Sequence, residues 1–108
     1  MYDKNNVFAK IIRGELPSAI VAESKYSLAF RDRHPQARVH VLVVPRGGFE
    51  NVADFIARAG EAEQKDFWKL VLKVAECEKV RNNFRLVANT GEKAGQSVPH
   101  FHAHILGD

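Results

Sequence analysis

With 108 residues the chain is long enough to bury one core, and it reads as a single domain over residues 1–108. Hydrophobic residues at 45% and charged residues at 27% exclude a disordered chain, and no run approaches the roughly 18 apolar residues of a membrane span. The net charge of +3, from 16 basic and 13 acidic side chains, is too balanced and too scattered (Lys4, Arg13, Arg31, Lys69, Arg81) for a nucleic-acid groove.

Met1 to Lys10 mixes charge with polarity instead of building a signal-peptide core, so a soluble, cytoplasmic protein with no membrane partner is expected. From Asn5 to Arg13, Val7, Phe8, Ile11 and Ile12 recur at helical spacing behind Asp3 as N-cap, and Gly14 and Pro17 stop the helix. Ile20–Glu23 and Tyr26–Arg31 are β-prone runs around a tight turn at Ser24 and Lys25. A loop from Asp32 to Arg38 leads into Val39–Val44, the most strand-like stretch in the chain, which Pro45 and Gly47-Gly48 end. Between Glu61 and Arg81, Phe67, Leu70, Val71, Val74 and Ala75 share one helical face, which predicts the main helix and its packing on a sheet. Cys77 lies on that helix as a buried thiol; as the lone cysteine it can form neither an intrachain disulfide nor a cysteine zinc cage. Phe84–Ala88 is a further strand, Asn89–Ser97 a flexible loop with Gly91 and Gly95, and Val98–Leu106 the last strand. The fold class is α+β: an antiparallel meander sheet with one long helix and a short N-terminal one.

The chemistry concentrates in the last strand. His100, His102 and His104 alternate, so on a strand they share one face at a spacing of about 7 Å, while Phe101, Ala103 and Ile105 face the core. A row of imidazoles suits metal ligation or nucleophilic and acid–base work, and spacing alone does not choose between them. The preceding loop, Asn89 to Ser97, favours the second: its glycines, amides and hydroxyls form a backbone cradle suited to phosphate oxygens.

Together these residues, Gln96-Ser97-Val98-Pro99-His100-Phe101-His102-Ala103-His104-Ile105-Leu106-Gly107, resemble the signature of the histidine triad (HIT) family. The likeness runs through Phe8-Ala9-Lys10-Ile11-Ile12-Arg13-Gly14-Glu15-Leu16-Pro17, Leu28–Asp32, Pro35-Gln36-Ala37 and His40–Arg46, and its opening block is similar to the Hint branch, the purine nucleoside phosphoramidases. The resemblance implies the HIT-like fold, a homodimer, and hydrolysis of a P–N bond in a purine nucleotide with no metal or other cofactor. It implies His102 as nucleophile, His100 and His104 as hydrogen-bonding neighbours, His40 as the residue orienting them, and Ser97, Asn89, Gln96 and Gly95 around the phosphate and leaving group. Asp32 would then hold the ribose hydroxyls, and Phe8, Ile11, Phe30 and Leu42 would wall the base. For these four, apolar spacing equally suits an ordinary core. The sequence departs from the branch at Arg33, where an apolar residue is usual beside base and ribose, and at Gly48, which replaces a frequent histidine. Three alternatives stay open: a purine nucleotide-binding regulatory module with little turnover, a dinucleotide polyphosphate hydrolase of the same family, and a zinc-binding protein.

Overall fold

The computed structural model describes all 108 residues. Helix α1 (Val7–Ile12) starts one turn after Asp3: the cap is Asn6, whose Oδ1 accepts from the Ala9 amide at 2.9 Å, while the Asp3 carboxylate takes the Asn5 amide. Asn6 wins because its side chain, not that of Asp3, reaches the third helical amide. Strands β1 (Ile20–Glu23), β2 (Ser27–Arg31) and β3 (Val39–Pro45) form the expected antiparallel meander. A helix that the hydrophobic pattern did not predict, α2 (Val52–Arg58), follows, capped by Asn51 through the Asp54 amide. Its buried residue is Phe55, so it carries too short an apolar face to register as periodic.

The main helix, α3 (Glu61–Cys77), ends four residues before Arg81. Lys79 takes a positive φ there and Val80 turns back into the core. Cys77, in the last turn, is exposed rather than buried, because the apolar face ends at Ala75. Strand β4 (Phe84–Val87) and strand β5 (Ala103–Gly107) complete a five-stranded sheet in the order β1-β2-β3-β5-β4. The last strand thus inserts beside β3, with Val41 opposite Ile105 and Leu42 opposite His104.

Strand alternation gives the sheet two apolar faces. One, with Ala29, Val41, Val43, Ala103 and Ile105, packs on α3 and α2 through Phe55, Phe67 and Val74. Phe101 joins Phe55 and Phe67 there, at centroid distances of 5.0 and 4.9 Å. The opposite face carries Leu28, Phe30, Leu42 and Val44 against Phe8 of α1. No helix is long and apolar enough to cross a membrane.

Candidate active site

The last strand begins later than its β-propensity suggests. Residues 98–102 are irregular; only from Ala103 do they pair with β3, and of the three alternating histidines His104 alone lies on the strand. The expected straight row is therefore corrected: Pro99 cannot donate to a ladder, and Phe101, whose amide bonds the Phe49 carbonyl at 2.7 Å, is drawn into the core. The bend turns the rings of His100 and His102 to different partners.

Those partners assign each tautomer. His100, fully buried, holds the Pro45 carbonyl through Nε2 at 2.8 Å. A carbonyl only accepts, so Nε2 carries the proton and Nδ1 the lone pair. By the same logic His102 donates from Nδ1 to the His100 carbonyl at 2.8 Å, which leaves its Nε2 lone pair free. His40 takes the Gln36 amide on Nδ1 at 3.1 Å, so its Nε2–H donates to Nδ1 of His104 at 2.9 Å. His104 is then left with a donor at Nε2. The rings of His102 and His104 stand 5.1 Å apart and both line one cleft, one offering a lone pair and the other an N–H.

The three triad histidines do not converge on a point, which removes the geometric basis of a three-histidine zinc site. The group whose ligand atoms do converge, within 4.8 Å, is Asp32, His40 and His104. In it the His40–His104 hydrogen bond already joins two of the three.

The cleft has a volume of about 710 Å³, within the range of small-molecule sites. Phe8, Ile11, Phe30 and Leu42 all line it, and three of them also belong to the second apolar cluster, so core and pocket are one surface here. Phe8 meets the His102 ring edge-on at 4.9 Å. Asp32 and Ser97 supply polar groups at the wall. Asp32 is engaged on both sides: Oδ1 accepts from the His34 amide at 2.8 Å and Oδ2 lies 3.4 Å from His40 Nε2. It therefore touches the histidine relay as well as the cleft.

The loop residues divide differently from the expectation. Gln96 braces its own loop, donating to the Glu50 and Val98 carbonyls and accepting from the Gly91 amide, and it lines a separate polar hollow instead of the cleft. Gly95 sits at φ +91°, where glycine is needed, but its amide is spent on Glu92. Asn89 lines neither hollow. Ser97 borders both. Arg33 lines the cleft beside Asp32, at the position where the sequence departs from the branch; sequence reasoning missed the rim from Leu16 to Ala19 and His34. Pro17 was the available signal for the rim, because a proline biases the residue before it toward extended backbone and so keeps the chain out of the helix there.

Burial sets the electrostatics. It lowers the pKa of His100 to about 4 and, with help from neighbouring His102 and His40, that of His104 to about 4; it lowers His102 as well. The folded site thus stays neutral where an unfolded chain, with histidines near pKa 6.5, takes up protons. Between about pH 6.5 and 4 the unfolded state binds more protons, so the histidine contribution to stability is complete above that window and is lost as pH falls through it. His100 alone is worth on the order of 3 kcal/mol by this linkage. Urea unfolding should show a clearly lower midpoint at pH 5 than at pH 7.5; an unchanged midpoint would show that the site charges without cost.

An antiparallel sheet with two apolar faces, entered by a bent His-Phe-His-Ala-His run of which His102 and His104 line an apolar cleft, is the arrangement of the histidine triad class. The HIT domain family matches residues 13–108, and the chain belongs to that family. It is 46% identical over 106 residues to an uncharacterized 13.2 kDa HIT-like protein of Azospirillum brasilense, covering 97% of this chain and 87% of that one. It is 38% identical over 105 residues to the purine nucleoside phosphoramidase of Escherichia coli K12, covering 96% and 87%. A HIT family hydrolase from Clostridium thermocellum superposes with a TM-score of 0.85 at 39% identity, over 98% of this chain and 92% of that one.

Proposed function

We propose that this HIT protein is a nucleotide hydrolase that cleaves the P–N bond of purine nucleoside 5′-phosphoramidates through a covalent nucleotidyl-histidine. The observation that carries the reading is the free Nε2 lone pair of His102, fixed by the His100 carbonyl on a residue that lines a largely apolar cleft. A purine fits between Phe8, Ile11, Phe30 and Leu42, and Asp32 accepts from the ribose hydroxyls, so the α-phosphorus falls near the imidazoles.

Nε2 of His102 then attacks phosphorus. The P–N bond breaks with its electron pair going to the amine, which takes up a proton from solvent as it leaves; the attacking water of the second step returns one to solvent. Water next attacks the nucleotidyl-imidazole, releasing nucleoside monophosphate and regenerating neutral His102. The Nε2–H of His104 and the hydroxyl of Ser97 stabilise charge on the phosphoryl oxygens, and the His40–Asp32 pair orients His104. The backbone amides of Ser97 and Val98, which donate to no other protein group, are further donors for that charge. The reading includes a homodimer. Phe67 is core and unavailable to it, but Trp68 and Leu72, one turn apart on the outer face of α3, remain exposed. Sedimentation at micromolar concentration checks that part.

Turnover of adenosine 5′-phosphoramidate should exceed that of a diadenosine polyphosphate by at least tenfold in kcat/KM. The opposite order would make the protein a dinucleotide polyphosphate hydrolase. Tight monophosphate binding with negligible turnover of either would make it a binding module.

A further inference from the structure

Tyr2 belongs to no motif and lines no part of the cleft, yet it is built into the support of the site. Its hydroxyl lies 2.5 Å from Nδ1 of His100 and 3.0 Å from Nδ2 of Asn6, and its ring meets the His100 ring edge-on at 5.6 Å. Asn6 is itself buried and held twice more, by the Ala9 amide on Oδ1 and by the Asp3 carbonyl on Nδ2. The Tyr2 ring packs against Gly48, where an added Cβ would stand 2.9 Å from two ring carbons. Gly48 does not have a positive φ, so the glycine serves to admit the ring, not to permit a turn.

The bonding has one consistent direction. The Pro45 carbonyl fixes the proton of His100 on Nε2, so Nδ1 is a buried lone pair that only a donor can satisfy. Tyr2 is that donor, and Asn6 in turn donates to the Tyr2 oxygen. The carbonyl of the same His100 accepts from Nδ1 of His102 and so keeps the lone pair of His102 on Nε2.

We propose that Tyr2 is a positioning residue: by holding His100 in one tautomer and place, the N-terminal segment fixes the carbonyl that orients His102. This rests on the reading of His102 as nucleophile only for its effect on rate; the effect on the histidine rings stands apart from it. The chain from Asn6 through Tyr2 and His100 to His102 runs from the start of α1 to the cleft, and of its members only His102 lines that cleft.

Tyr2→Phe keeps the ring and removes the donor, and it is the decisive variant. Long-range 1H–15N correlation spectra of the histidine rings should show Nδ1 of His100 losing its hydrogen-bonded shift and the ring nitrogens of His102 moving with it. With phosphoramidate substrate, kcat should fall about 3- to 10-fold, the scale of one hydrogen bond, while KM holds. Gly48→Ala, which displaces the ring, should reproduce both changes. His102 nitrogen shifts identical to wild type in Tyr2→Phe would overturn the proposal, as would an unchanged kcat in a turning-over enzyme. Should the wild-type protein prove inactive on phosphoramidates, the functional reading fails and the His102 shifts alone decide this one.

Discussion

Replacing His102 by alanine should abolish turnover, lowering kcat by several orders of magnitude while nucleotide still binds. The reason is specific to this site. A covalent mechanism needs a free lone pair at phosphorus, and neither other imidazole of the triad offers one: His104 commits Nδ1 to His40, and both nitrogens of His100 are engaged by Pro45 and Tyr2. Base and ribose contacts with Phe30, Leu42 and Asp32 are untouched by the change, so monophosphate affinity should stay within a few-fold. His100→Ala should cost less, on the order of 10²- to 10³-fold, because it removes a support but leaves the nucleophile and its carbonyl acceptor. Rapid quenching of the wild-type reaction, followed by mass spectrometry of the peptide containing His102, should reveal a nucleotidyl adduct. An adduct on His104, or hydrolysis with inversion at phosphorus and no adduct, would place the chemistry elsewhere.

The second large effect is on stability. Phe101 stands between two site histidines, is 2% exposed, and packs its ring against Phe55 and Phe67. Phe101→Ala should destabilise the fold by about 3–5 kcal/mol, since α2, α3 and the sheet all meet at that ring and cannot collapse together into the space. Against a typical total of roughly 5–15 kcal/mol, the variant should be marginal. Urea titration should show the loss as a lowered midpoint at similar slope. The ring's packing on Phe55 and Phe67 seats the bend that separates His100 from His102, and the Phe101 amide bond to the Phe49 carbonyl alone remains in the variant, so surviving folded protein should turn over more slowly. A loss below about 1 kcal/mol would mean the core closes over the gap, and that Phe101 does not peg the bend.

What the sequence by itself determined is whatever depends on local pattern. The apolar periodicity of α3, the β-prone runs of β1 to β3, and the inward placing of Phe101, Ala103 and Ile105 are local properties of the chain, and the structure keeps them. The His-Phe-His-Ala-His run likewise pointed to the candidate site, since such a run near a glycine-bearing loop has few uses. Patterns were silent where structure rests on contacts between distant segments. Helix α2 buries one phenylalanine, so its periodicity was invisible. Gln96 reads as a phosphate ligand until its loop folds back on Glu50.

Only the tertiary structure decided how the histidines differ from one another. In sequence His100, His102 and His104 are equivalent alternating positions; in space one reaches the Pro45 carbonyl, one the His100 carbonyl and one His40, residues up to 64 positions away. The tautomer of an imidazole is set by which partner sits at each nitrogen, and those partners arrive from β3 and the N-terminal segment. Tyr2 and His100 are 98 residues apart in sequence, and no local pattern links them. The residue types were chosen by the chain, but which nitrogen carries the lone pair was chosen by the packing of distant segments on one another.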